Sequence, residues 1–138
     1  MKVPFELLSS FKGVGLILGA HLLAFLPELG SLTREQVAAL VGVAPYNNQS
    51  GTADGSRSIY GGRKVVRDVL YMGTIVAIRS NFVIKTHYKK LRSRGKPHKV
   101  ATVACMRKIM GTLNAILRDK TTWDELRFNT AKQDMPKK

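Results

Sequence analysis

One serine stands where a nucleophile could be presented. Ser50 lies in GVAPYNNQSGTADGSRSIYGGRKVVRDVLYMG, the stretch from Gly42 to Gly73, within a polar, glycine-rich loop between two apolar, helix-like segments. Arg57, Arg63 and Lys64 follow it closely. Loops held by rigid flanks are where chemistry concentrates, and guanidinium and ammonium groups nearby suit a phosphate. A serine hydroxyl is a weak nucleophile at neutral pH and needs an activating partner. The histidines, His21, His87 and His98, show no triad spacing to Ser50, so serine-hydrolase chemistry is not indicated. On pattern alone, an ordinary surface loop accounts for the stretch at least as well.

Metal chemistry finds little support. The nine acidic residues are scattered, and only Asp124 and Glu125 are adjacent. Two-metal phosphoryl transfer needs several carboxylates converging on the ions, so no metal site is expected within the chain. Any phosphoryl chemistry would draw its metal ligands from elsewhere. The single Cys105 excludes an internal disulfide and a cysteine-based zinc cluster. Lying among apolar residues, it is expected to be packed rather than reactive.

Charge is divided unevenly. Residues 1–56 carry three basic and four acidic side chains, while residues 57–138 carry twenty and five, so the net charge of +14 divides into −1 in the first part and +15 in the second. Such asymmetry is the footprint of a polyanion-binding face; a solvated basic surface or an anionic-membrane patch would look the same. Lys85, Lys89, Arg92 and Lys96 recur at three- and four-residue steps, which predicts a basic stripe on one helical face, continued by Arg94 and Lys99. Tyr46, Tyr60 and Tyr88 are expected to pack rather than stack on bases. Membrane insertion is not expected, since the apolar run Leu16–Leu26 is about half the roughly 20 residues a spanning helix needs. Glu6 and Lys12 break a signal-segment pattern. A reducing, cytoplasmic setting fits best.

The periodicity predicts a mainly α-helical domain: a compact fold opening with a helix-hairpin-helix, then a long glycine-rich loop before three longer helices. A first short helix is expected over Val3–Phe11. Gly13 and Gly15 then bracket Val14 ahead of an apolar helix ending near Pro27. In a helix-hairpin-helix the amides after the glycines face outward and hold a phosphate without reading sequence; a glycine-started core helix is the alternative. Thr33 and Gln36 have capping-box spacing before the next short helix. Further helices are expected over Arg63–Ser80, Phe82–Arg94 with Asn81 as cap, and Lys99–Arg118. In the first of these, Val66, Leu70, Gly73 and Ala77 share a face with Val69, Met72 and Val76 beside it, which predicts burial over much of the circumference. Trp123 is expected to pack the end of the last helix onto the body. Strand evidence is thin, with Ser58–Tyr60 at most a short extended piece. The parts divide as 1–42, the hairpin; 43–126, the serine loop and basic helices of the same domain; and 127–138, a polar tail.

The order FKGVG, HLLAFLPELGSLTREQVAALVGVAPYNNQSG, IYGGRKVVRDVLYM and NFVIKTHYKKLRSRGKPHKVATVACMRKIMGTLNAILRD resembles the C-terminal domain of DEDD-type insertion-sequence transposases, the bridge-RNA recombinases of the insertion-sequence one-ten family. The likeness runs from about Leu8 to Trp123. It implies a serine, Ser50 in the P…SG motif, that attacks a DNA phosphate and forms a covalent phosphoserine intermediate. It gives Gly13 and Gly15 the hairpin role, and the basic residues after Arg57 contacts to DNA or guide RNA. It also implies a separate RuvC-like domain whose four acidic residues bind magnesium, and self-association as a homo-oligomer. The likeness transfers no general base. This chain starts at Met1 close to the hairpin, so it is expected to bind nucleic acid but not to exchange strands by itself, as an excised domain, a gene fragment or half of a split enzyme. A non-catalytic helix-hairpin-helix module is the rival reading, and a basic helical protein acting on another protein a weaker third.

Overall fold

The computed structural model describes residues 3–43 and 61–124. Among them are six α-helices and no strand: α1 (Pro4–Ser9), α2 (Leu16–Phe25), α3 (Arg34–Leu40), α4 (Gly61–Ser80), α5 (Phe82–Ser93) and α6 (His98–Asp119). The fold is mainly α, as the periodicity predicts. Local chemistry sets the helix ends. Thr33 Oγ1 accepts from Gln36 N–H at 3.1 Å while Gln36 Oε1 accepts from Thr33 N–H at 2.9 Å, a complete capping box starting α3. Asn81 Oδ1 accepts from the amides of Val83 and Ile84 and starts α5. That helix ends in a Schellman pair, Gly95 N–H to Arg92 O and Lys96 N–H to Leu91 O.

Helix α6 is the spine. Ala101, Cys105, Met106, Ile109, Met110, Leu113 and Ile116 are buried along it, and α1, α3, α4 and α5 all pack against it. It is long and apolar enough by composition to span a bilayer, yet that apolar face forms the core of this domain. One hydrophobic cluster joins Leu8, Phe11 and Leu22 of the hairpin part to Val66 and Leu70 of α4 and to α6. The buried Asn114 ties the α2–α3 connection to this spine, accepting from Gly30 N–H at 2.6 Å and donating to Leu32 O at 2.7 Å. Trp123 packs against Phe11 with ring centroids 4.7 Å apart, and its amide donates to Ser10 Oγ. Cys105 is buried, and burial pushes its thiol pKa up to about 11 against the opposing pull of Lys108 and Arg107.

Two expectations need correction. The first helix ends at Ser9, not Phe11, because Phe11 turns inward and is buried in the cluster. Helix α4 is not buried around most of its circumference. Val66, Leu70, Thr74 and Ala77 face α2, α5 and α6, but Met72 and Val76 are 67% and 51% exposed. Ser58–Tyr60 and residues 127–138 lie outside the described residues.

Candidate nucleic-acid interface

The hairpin between α1 and α2 is docked on α4 by close backbone approach. Gly13 has φ +117°, and a Cβ added there would stand 2.9 Å from Ala77 Cβ. No side chain could take that place without strain or displacement. Val14 N–H closes the turn onto Phe11 O at 3.0 Å. Gly15 is the N-cap of α2, has no side-chain cap hydrogen bond, and has open space where a Cβ would be. The opening amides of a helix lack partners within it, and here Gly15, Leu16 and Ile17 are all exposed. Asn81 completes the arrangement: beyond capping α5, its Nδ2 donates to Lys12 O at 2.9 Å. One buried amide therefore fixes the hairpin and the start of α5 to each other.

Helix α5 carries the charge. Lys85, Lys89 and Arg92 are exposed and share one face by their spacing. The predicted stripe does not run on to Lys96. The helix ends at Ser93, so Lys96 leaves the helical register, and Arg92 Nη1 turns to donate to Lys96 O at 3.0 Å. The opposite flank of α5 bears His87 and Lys90. His87 is held below its ordinary pKa by burial first, then by Lys108, Lys90 and Arg107. Tyr88 is half-buried, its hydroxyl 2.7 Å from His98 Nδ1, and its ring packs edge-on to that histidine. Tyr88 packs, as the sequence suggests.

The segment bearing the candidate nucleophile begins beyond Val43, and two arginines lie at the residues just before it. Arg107 Nη1 donates to Val43 O at 3.1 Å from α6. From α4, Arg67 lies so close that a Cβ on Gly42 would fall 2.5 Å from its Nη1, at a residue whose φ is +78°. Neither arginine stands out in the sequence. Arg67 reads as one more helix residue, and Arg107 as half of a basic pair with Lys108 inside an otherwise apolar stretch.

The remaining candidates fare unevenly. Ser50 and Arg57, with Tyr46 and Tyr60, lie outside the described residues. Arg63 falls in the first turn of α4. Lys64 is exposed and paired with Asp68 at 3.1 Å across one turn, a contact of a kind worth at most about 1 kcal/mol, so it remains available to an anion. Among the described residues no three His, Cys, Asp or Glu side chains come together as a metal site. The described part of the chain therefore does not fit a resident magnesium ion.

Comparison with known proteins places these features in a lineage. The signature described as "Transposase IS116/IS110/IS902 family" matches residues 5–89, from α1 through most of α5. The "Insertion element IS900 uncharacterized 42 kDa protein" of Mycobacterium paratuberculosis is 31% identical over 122 residues, covering 86% of this chain and 30% of the relative. The corresponding 43.6 kDa protein of insertion element IS110 from Streptomyces coelicolor is 29% identical, over 85% of this chain and 29% of its own length. A "Pilin gene-inverting protein" from Moraxella lacunata is 27% identical over 87% of this chain and 38% of its own. The chain thus spans about a third of the length of the curated relatives it matches. No solved structure matches it. With the family signature running over more than half of its residues, the chain belongs to the IS116/IS110/IS902 transposase family.

Proposed function

We propose that this chain is the nucleic-acid-holding, serine-bearing part of a transposase or recombinase acting on DNA. The observation that carries the reading is the pair of arginines at Gly42 and Val43, Arg107 bonded to Val43 O and Arg67 lying against Gly42, just before the Ser50 segment in the chain. Cationic side chains therefore stand at Gly42 and Val43, the residues that precede this segment in the chain, and cations draw a phosphodiester and offset its charge. DNA as substrate is supported by the family and by relatives named for insertion elements and pilin gene inversion.

In this reading Ser50 Oγ attacks a DNA phosphorus and loses its proton, and the P–O bond to the leaving strand breaks. The freed strand departs as a hydroxyl, having gained a proton, and the new P–O bond holds the other strand as a phosphoserine. A hydroxyl from an incoming strand reverses the step and restores the serine. Arg57, Arg63 and Lys64 lie nearest Ser50 in the chain and offset charge on the phosphate, and Arg67 and Arg107 add positive charge at Gly42 and Val43. Gly13 and Gly15 present hairpin amides to a second phosphate. Lys85, Lys89, Arg92 and Lys96 hold the nucleic-acid backbone, be it DNA or guide RNA. The RuvC-like domain is the partner that completes the reaction, within a homo-oligomer in the cytoplasm.

The test is a denaturant-resistant protein–DNA adduct formed with the RuvC-like domain supplied. Ser50→Ala should abolish it, and persistence of the adduct would remove Ser50 as nucleophile. The non-catalytic hairpin module is the second reading, favoured by the exposed, uncapped start of α2. It requires Ser50→Ala to leave every property unchanged while changes at Gly15 weaken binding. Both readings share a salt test. About five to eight phosphate contacts on duplex DNA give a log–log slope of roughly −5 to −7, and salt-insensitive binding would favour a protein partner instead.

A further inference from the structure

Phe82 is an apolar residue at the start of the basic helix α5. Phe82 is 76% exposed, more than any other large apolar side chain among the described residues. No ring pair among those residues includes it. A solitary exposed apolar residue is ordinary, but this one has specific neighbours. By its spacing Phe82 heads the face that continues through Lys85, Lys89 and Arg92, all exposed. The four positions span about 15 Å of helix at 1.5 Å per residue.

The mount is rigid as well as exposed. The adjoining Asn81 is 3% exposed, accepts from Val83 and Ile84 amides, and donates to Lys12 O in the hairpin. Phe82 thus projects from a backbone held on two sides, at the junction of the hairpin and the basic helix. An exposed ring on a fixed backbone beside a row of cations is the arrangement by which proteins bind unpaired nucleotides. The ring stacks on a base face, and the cations track the backbone. In a duplex the base faces are already stacked on each other, so only an unpaired or terminal base can use such a ring.

We propose that Phe82 is a base-stacking platform and that α5 holds a single-stranded segment of nucleic acid, its backbone running along Lys85, Lys89 and Arg92. The proposal rests on the nucleic-acid reading above and narrows it to an unpaired strand. The chemistry is shared by displaced DNA and by a loop of RNA, and separate oligonucleotides distinguish them.

The experiment is equilibrium binding of labelled oligo(dT), oligo(rU) and a mixed-sequence DNA duplex of equal length to the 138-residue chain, across a salt series. Phe82→Ala should weaken single-strand binding roughly 5- to 150-fold, the loss of one stacked base, while duplex affinity and the salt slope stay unchanged. Phe82→Leu should fail like Ala, since it keeps apolar bulk but lacks a π face, whereas Phe82→Trp should bind at least as well and show emission quenching by the single strand. The stronger of the dT and rU arms names the ligand. Equal losses on duplex and single strand, or Leu binding as well as Phe, would overturn the platform. If the wild-type chain binds no nucleic acid, the wider reading falls with it. If it binds with a steep salt slope while Phe82→Ala is silent, this inference alone falls. Circular dichroism of each variant checks that the fold is kept, as expected for so exposed a position.

Discussion

Gly13→Ala is the perturbation that most directly probes how the hairpin is seated. Two separate penalties apply. At φ +117° an alanine occupies backbone space that L-residues rarely adopt, at a cost of about 1–3 kcal/mol. Its methyl would also stand 2.9 Å from Ala77 Cβ and 3.4 Å from Ala77 Cα, and overpacking of this kind costs about 1–3 kcal/mol. Together they give about 3 kcal/mol, or a fall in Tm of about 10 °C for a domain of this size. The second penalty can be isolated. Ala77→Gly removes the opposing methyl and alone costs about 1 kcal/mol in a helix interior. In the double variant the clash is relieved while the backbone penalty stays, so the combined loss should fall short of the sum by about 1–2 kcal/mol. Urea and thermal unfolding followed by circular dichroism read all four proteins. Strict additivity, or a loss below about 0.5 kcal/mol for Gly13→Ala, a size typical of neutral surface changes, would refute the close-packed hairpin. Gly15→Ala is the control: its φ of −98° suits alanine and nothing lies within 4 Å of the new methyl. A binding defect at Gly15 without a stability defect would therefore belong to the exposed amides, whereas one at Gly13 would not be interpretable alone.

Two other predictions test the frame around the site. His87 has a folded pKa below its unfolded one, from burial and then Lys108, Lys90 and Arg107, so the unfolded chain binds the proton more readily. Its contribution is present above the unfolded value and is lost as pH falls towards the folded one. The Tm advantage of wild type over His87→Gln should therefore shrink between pH 7.5 and pH 5, and an advantage that grows on acidification would contradict the assignment. Asn114→Ala removes the partner of Gly30 N–H and Leu32 O, both part-buried, which should cost about 2 kcal/mol at the net value of two hydrogen bonds. Denaturant unfolding measures it, and a change within error would mean that the α2–α3 connection is held by other contacts.

What the sequence showed was what depends on local chemistry. The capping box at Thr33 and Gln36, the Asn81 cap, the stop at Gly95 and the 3.6 period of α6 each arise within a few residues and were readable from them. The features that join elements were hidden. Asn81 reads as a cap, but its bond to Lys12 spans the two halves of the chain. Arg107 reads as part of the basic pair Arg107–Lys108, and only packing of α6 beside the end of α3 brings it to Val43 O. The exposure of Phe82 is not legible from its being apolar. In the first turn of α5 Ile84 is the residue that turns in, while Phe82 faces out. The positions of Gly13 and Gly15 were legible, but their division of labour was not, since only the third dimension puts Ala77 against one and open space against the other.

The charge on α5 is best understood as a cost that the free domain carries. The helix buries one residue, Ile84, where α6 buries nine, so packing asks little of its remaining side chains. Yet Lys85 and Lys89, and Lys89 and Arg92, stand one turn apart, and like pairs at such spacing cost about 0.2–0.5 kcal/mol each. Among the described residues no acidic side chain forms an ion pair with this helix. A sequence tuned for stability alone would place acids here. Lys89→Glu replaces two repulsions by two attractions and should stabilise the free domain by roughly 0.5–1 kcal/mol, raising Tm by a few degrees. The same change should weaken nucleic-acid binding and reduce the magnitude of the salt slope by about one contact or more. A variant that gains stability and loses affinity would mark α5 as a helix kept basic for its ligand. A variant that loses both would instead make Lys89 part of the fold's own support and would remove the basic face as an argument for binding.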